Sequence, residues 1–218
     1  MPIDLSEFVA PSRTALVLNE MKRLTVGDLA STNSASSPGA PLAAAAAELG
    51  VLDRVVRLTR AARAAGIKVV HATSSFRPDG VGSLATAPQL ASALRHRDHL
   101  LEGSPGAEPA HEVYVPEEDI WQVRYHGLGP FVGTELDPLL RSLGVDTIVL
   151  VGGSINVGIP ATTIEAVDFG YRVVIPRDAV VGVPKEYTDL AFEHQLRFIA
   201  WLTTADEIVA EWSAAATT

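Results

Sequence analysis

Residues 152–158, Gly-Gly-Ser-Ile-Asn-Val-Gly, have the types and spacing best suited to chemistry in this chain. The paired glycines permit a sharp turn, and Ser154 and Asn156 are residue types that begin helices. Ahead of them, Thr147 to Val151 is a short β-branched apolar run, which reads as a strand buried on both faces. Behind them, Val157, Ala161, Ile164 and Val167 recur at helical spacing, and Gly170 reads as the C-cap. Pro160 is compatible with a first helical turn, whose amides lack helical acceptors. Strand, glycine turn and helix in that order gather backbone N–H groups at the C-terminal edge of the strand. Such groups hold an anion or a developing oxyanion, although the same pattern also makes a plain tight βα turn.

Other ready-made chemistries are missing. The turn is not Gly-x-Gly-x-x-Gly, no Lys-Ser or Lys-Thr follows the glycines, and Gly-x-Ser-x-Gly lacks its final glycine. There is no cysteine, which excludes disulfides, thiolate zinc sites and cysteine nucleophiles. His96 and His99 have a spacing that places two ligands on one helix face, but Arg-His-Arg-Asp-His reads as a solvated charged surface. His194 falls on an apolar stripe and reads as a core histidine. No metal and no cofactor are expected.

The elements that must position the turn alternate along the chain. Strands are expected at 14–18, 67–72, 119–124, 147–151 and 171–175, with a short last strand at Ile208 and Val209. Helices are expected over 42–65, within 90–101, from the Gly133–Asp137 segment to about Leu143, after Val157, and from Pro184 through Trp201. In the 42–65 helix, Arg54, Arg57, Arg60 and Arg63 read as solvated. Residues 24–41 and most of 73–118 are rich in Gly, Pro and Ser and read as loops, the second long enough to wall a pocket. Alternation of this kind implies an α/β fold: a three-layer α-β-α sandwich with a parallel sheet of about six strands and helices on both faces. Ligands in such sheets bind beyond the C-terminal strand ends, here Asn19/Glu20, His71, Arg124 and Gly152/Gly153.

The 218 residues suffice for one domain with a substantial core. Lys and Arg total 17 against 26 Asp and Glu, a formal net charge of −9. That balance argues against nucleic acid or an anionic membrane as partner. The first residues lack a basic, apolar leader and no segment is long and apolar enough to span a membrane, so a cytoplasmic protein is expected.

Four stretches carry a resemblance. Thr14-Ala-Leu-Val-Leu-Asn-Glu-Met resembles a first-strand motif that ordinarily ends Asp-x-Gln. Arg124-Tyr125-His126, with Phe131 and Gly133-Thr134-Glu135-Leu136, resembles a Lys-containing segment. Gly153 to Tyr171 resembles a nucleophile turn with its helix, and Arg177-Asp178-Ala179 the Asp-Ala that follows a fifth strand. In this order they are similar to the isochorismatase-like superfamily, often called cysteine hydrolases. The resemblance implies a Rossmann-type domain over 1–218 with its core at about 13–212, a small-molecule substrate and a homo-oligomer. It also implies a catalytic trio of Asp, Lys and Cys, whose places are taken here by Asn19, Arg124 and Gly158. Asn19 exchanges no proton near neutral pH, Arg124 stays charged and Gly158 offers no side chain, so acyl transfer through a thioester is ruled out. Family members that hydrolyse vinyl ethers need no thiol and rely on an acid at the Asp position. Gly158 suits that branch; Asn19 does not.

Three other residues offer acid–base chemistry. His126, an imidazole two residues beyond Arg124, is favoured, His71 ends a strand, and Glu20 follows Asn19. Adjacent strand residues point to opposite faces, so Asn19 and Glu20 are not expected to share the site. The planar fork of Arg124 suits a carboxylate, and Asn19 and Asn156 orient a carbonyl or amide. The expected pocket lies between Asn19, His71, Arg124, His126 and the Asn156–Val157–Gly158 turn. One function is a thiol-independent hydrolase of a small carbonyl- or carboxylate-bearing metabolite, with Arg124 on the anion, the helix start on developing charge and His126 moving the proton. The other is an inactive member that binds a small ligand or serves as a partner subunit; filling of the pocket by Trp121, Tyr125 or Phe131 would favour it.

Overall fold

Fully apolar runs have no wet face, so they pair in the middle of the molecule. In the computed structural model, which describes residues 4–32 and 39–216, the strands are β1 (Thr14–Asn19), β2 (Lys68–Ser74), β3 (Ile120–Arg124), β4 (Thr147–Gly153), β5 (Arg172–Pro176), β6 (Val180–Val181) and β7 (Trp201–Thr203), with the fully buried β1 and β4 in the middle and the partly exposed β3 and β7 at the edges. The strand order is β3-β2-β1-β4-β5-β7, with β6 beside the end of β4, and every pairing is parallel. The helices are α1 (Leu5–Phe8), α2 (Ala40–Glu48), α3 (Val51–Ala64), α4 (Pro88–Arg95), α5 (Leu136–Ser142), α6 (Gly158–Asp168), α7 (Lys185–His194) and α8 (Ala205–Ala215).

Strand periodicity divides the core in two. Leu16, Leu18, Val69, Val149 and Val151 face one side, where α3 and α8 cover them through Val55, Leu58, Ile208 and Trp212. Ala15, Val17, Val70, Ala72, Ile148 and Leu150 face the other, under Leu136 and Leu140 of α5 and Ile159 and Ala166 of α6. The three-layer parallel sandwich is therefore the fold.

Several boundaries differ from expectation. The single helix over 42–65 is two helices, because Gly50 adopts φ +63° between them. Arg63 is not solvated: its side chain is 16% exposed and ion-paired with Asp119. The helix after Pro184 stops at His194, and Trp201 opens β7. Ile208 and Val209 lie in α8, not in a strand, because Thr204 and Glu207 form a reciprocal capping box ahead of them. Of the expected 24–41 loop, residues 33–38 lie outside the described residues.

Candidate active site

The strand order reverses between β1 and β4, and in parallel sheets the crevice that takes a ligand lies at this switch point, beyond the C-terminal strand ends. Asn19 ends β1 in register with Ala72 and Gly152 and is fully buried. Its Nδ2 donates to the Gly153 carbonyl at 2.5 Å, and its Oδ1 accepts from Thr162 Oγ1 of α6 at 3.4 Å. Gly152 must be glycine: it has φ +103°, and a Cβ there would stand 2.3 Å from the Asn19 carbonyl. Gly158 opens α6 directly against Asn19, and a Cβ there would stand 2.5 Å from Asn19 Nδ2 and 3.0 Å from the Gly153 carbonyl. The Ser154 carbonyl takes the amides of Val157 and Ile159, which closes the turn onto the helix.

Beside Asn19 the chain does something the strand period does not allow for. Glu20 has φ +57°, the only positive value for a non-glycine among the described residues. The turn leaves its amide on the Ala72 carbonyl at 3.0 Å and brings its carboxylate to Arg124, on the face that Asn19 occupies. Glu20 Oε1 lies 2.8 Å from Arg124 Nη1, and Oε2 lies 2.7 Å from Lys22 Nζ and accepts from Ser74 Oγ at 3.0 Å. Lys22 also donates to the Ser74 carbonyl and hydroxyl at 3.1 and 3.2 Å. Side-chain exposure is 17% for Glu20, 7% for Arg124 and 4% for Lys22, so Glu20 is the open edge of an otherwise buried group. Burial alone would raise the pKa of Glu20, but the charges of Lys22 and Arg124 and the bonds from Lys22 and Ser74 outweigh it and hold it at about 2. Arg124 is poorly satisfied. Nε and Nη2 reach the Gly127 and Leu128 carbonyls only at 3.4 Å, and the Nη1–Oε1 approach lacks hydrogen-bond alignment. Glu165 of α6 steadies that loop by accepting from the Phe131 amide at 2.9 Å.

Residues 14–207 match the isochorismatase domain. The chain belongs to this hydrolase family. Over 115 residues it is 36% identical to the uncharacterized isochorismatase family protein YwoC of Bacillus subtilis, covering 50% of this chain and 59% of that one. It is 30% identical to maleamate amidohydrolase of Pseudomonas putida, covering 53% and 52%. The chain thus spans about half the length of the curated relatives it matches. A cysteine hydrolase of Pseudomonas syringae pv. phaseolicola has the same fold, with a TM-score of 0.78 and 20% identity over 95% of this chain and 96% of that one.

The isochorismatase-like frame shows where each expected site residue falls. Asn19 and Gly158 meet at the end of β1, Val157 is the residue ahead of α6, and Arg124 engages Glu20. The expectation that Asn19 and Glu20 are kept apart fails, because the left-handed Glu20 ends the alternation. His71 does not line the crevice: it pairs in register with Trp121 and points to the opposite face, where its Nε2 meets Asp119 Oδ2 at 3.2 Å. His126 lies beyond β3, where its Nδ1 accepts from the Leu84 amide at 3.4 Å, and among the described residues it has no hydrogen bond or ion pair with Asn19, Glu20 or Arg124. Asn156 engages both ends of its amide on the backbone of Val183, accepting from its N–H at 3.0 Å and donating to its carbonyl. Trp121, Tyr125 and Phe131 are engaged elsewhere: Trp121 donates to Thr73, Tyr125 to Glu102, and Phe131 stacks on Phe169. Sequence reasoning passed over Lys22 and Ser74 entirely. The signal available was a lysine two residues past a strand-end glutamate, a spacing that places a cation in the same turn. No helix of the described chain is long and apolar enough to cross a membrane.

Proposed function

We propose that the protein is a thiol-independent hydrolase of a small carbonyl- or carboxylate-bearing metabolite, and that Glu20 rather than His126 delivers the proton. The observation that carries this reading is the Glu20 carboxylate 2.8 Å from Arg124 at the mouth of the crevice. It supplies the acid that Asn19 cannot. An acid without a thiol suits hydrolysis of a vinyl ether. Glu20 protonates the double-bond carbon, the oxocarbenium ion that results adds water at the former ether carbon, and loss of a proton with collapse of the hemiketal gives a ketone and an alcohol. The carboxylate left on Glu20 faces the cation as it forms and then accepts the proton that the added water loses. Arg124 holds a carboxylate of the substrate. Amide hydrolysis of the kind named for the Pseudomonas putida relative is unsuited to this site if it requires a thioester, since the chain has no cysteine.

One observation favours a second reading, a member that binds a ligand without turnover: the Asn19 amide occupies the space into which a side chain at 158 would project. A screen of small vinyl ethers, amides, esters and lactones separates the two. The hydrolase reading expects turnover of a carboxylate-bearing vinyl ether, a loss of about 10²–10⁴-fold in kcat for Glu20→Gln, and less than about tenfold for His126→Ala. Wild-type protein that turns over none of these classes while binding a small acid would sink it.

A further inference from the structure

Hydrolysis through Glu20 needs that carboxyl protonated, yet two cations face it. The groups around it are few. Lys22 comes from its own turn, Ser74 from β2 and Arg124 from β3, and these are the charged and hydrogen-bonding side chains in contact with it among the described residues. The three do not behave alike. Lys22 is spent: Nζ engages Glu20 Oε2 together with the carbonyl and hydroxyl of Ser74. Arg124 is not, since its Nη1 is buried without a hydrogen bond and its other contacts are two long carbonyl approaches. A guanidinium 7% exposed and short of acceptors is a receptor for a planar anion. With one carboxylate for two cations, the cluster carries one positive charge in excess.

We propose that this cluster receives the carboxylate of a monoanionic substrate on Arg124, and that the arrival of this carboxylate draws a solvent proton onto Glu20 Oε1. The inference rests on the reading that this edge of the sheet is the substrate site. Once the ligand is in place, two carboxylates stand against two cations, so the total balances. The distribution does not. The fork of Arg124 turns to the ligand and releases the buried Oε1 that it faces, Lys22 alone stays with Glu20, and the ligand covers what remains of the contact between Glu20 and water. Each change favours the neutral carboxyl. Oε2 is held by two donors, Lys22 and Ser74, so the proton goes to Oε1, which has no hydrogen bond of its own. The substrate thereby charges its own acid. Lys22 is a positioning residue in this scheme, keeping Oε1 turned toward the ligand.

Linkage makes the idea measurable without turnover: if the anion raises proton affinity at Glu20, protons raise affinity for the anion by the same factor. Formate, acetate and benzoate serve as probes in calorimetric titrations of the whole chain, with benzamide as the uncharged control. The expected result is that at least one carboxylate binds and benzamide does not. Its affinity should rise about tenfold from about pH 8 to about pH 5.5, and the heat in two buffers of different ionisation enthalpy should report proton uptake. Glu20→Gln should abolish both pH effects and tighten binding at about pH 8 by more than the tenfold that the wild type gains on acidification, because the competing charge is gone. Wild-type protein suffices for the pH series, so a poorly folding variant does not spoil the test. Affinity that is flat with pH, or failure of all three anions to bind, overturns the inference even if a vinyl ether is hydrolysed. Proton-linked binding in a protein that hydrolyses nothing upholds it while the hydrolase reading falls.

Discussion

Two buried charged clusters flank the sheet, and they are balanced differently. On the side covered by α3, Asp119 is fully buried and accepts from Arg63 Nη2 at 2.6 Å, Arg63 Nε at 2.9 Å, the Val115 amide at 2.9 Å and His71 at 3.2 Å. Burial lowers the pKa of His71 against the pull of Asp119, so the imidazole is neutral and the carboxylate is matched by one cation. Arg63 uses a further bond on the Val113 carbonyl at 2.7 Å. On the other side, Glu20 faces two cations, and both Oε1 and Arg124 Nη1 lack hydrogen bonds. The first cluster ties the 113–119 segment to β2 and α3 with its charges cancelled. The second keeps a surplus charge and open valences at the crevice. The unmet valences of Oε1 and Nη1 contribute no hydrogen bond to the fold, which is why this cluster is the candidate site.

The contrast is broken or sharpened first by Arg63→Met. This substitution leaves Asp119 buried with no cation, and it should cost about 3–5 kcal/mol, read as a fall in the urea midpoint at unchanged m-value. A loss under about 1 kcal/mol would mean that the α3 cluster is not the balanced tie described above.

Acid comes next. Asp119, like Glu20, is held at about 2: burial would raise it, and the bonds from His71, Arg63 and the Val115 amide overcome that. Both folded values lie below the ordinary carboxylate range. Each group therefore contributes stability that is present above about pH 4 and is lost as pH falls toward about 2, on the order of 2–3 kcal/mol apiece. His71 acts in the same direction higher up, because its lowered folded value means the unfolded chain takes the proton first as pH drops below about 6.5. Urea midpoints measured from about pH 7 to about pH 3 should fall monotonically, and over that range the acid limb of Asp119→Asn should be shallower by about 1 kcal/mol. An unchanged limb in that variant would remove Asp119 from the account.

The architecture was legible because its signals are local. Thr14–Asn19 and Thr147–Gly153 are too uniformly apolar to be anything but central strands, and their order with the helices dictates a parallel sheet with its crevice at Asn19 and Gly152. The glycine turn and Gly158 were legible for the same reason. The charged half of the site was not. Its geometry hangs on one backbone angle, that of Glu20, and strand periodicity assigned this residue to the wrong face because periodicity ends where φ turns positive. Lys22 drew no reading at all, since nothing in its neighbours along the chain announces a partner 52 residues away at Ser74. His71 misled in the opposite way. A histidine near a strand end looks catalytic until register shows which face it takes, and register is a property of β2 and β3 together.

The smallest expected effect is the most discriminating. Lys22→Met removes a buried cation, which in a balanced cluster would be ruinous. Here Glu20 and Arg124 remain as a matched pair, methionine keeps most of the buried stem volume, and the losses are hydrogen bonds to Ser74 and Glu20. Stability near pH 7 should therefore change by no more than about 1 kcal/mol, against the several expected for Arg63→Met. With one cation fewer, the folded pKa of Glu20 should rise, so the acid limb should begin at higher pH than in the wild type. If Lys22→Met costs as much as Arg63→Met, the two clusters are the same kind of structure, and the surplus charge at the crevice is a packing necessity rather than a receptor.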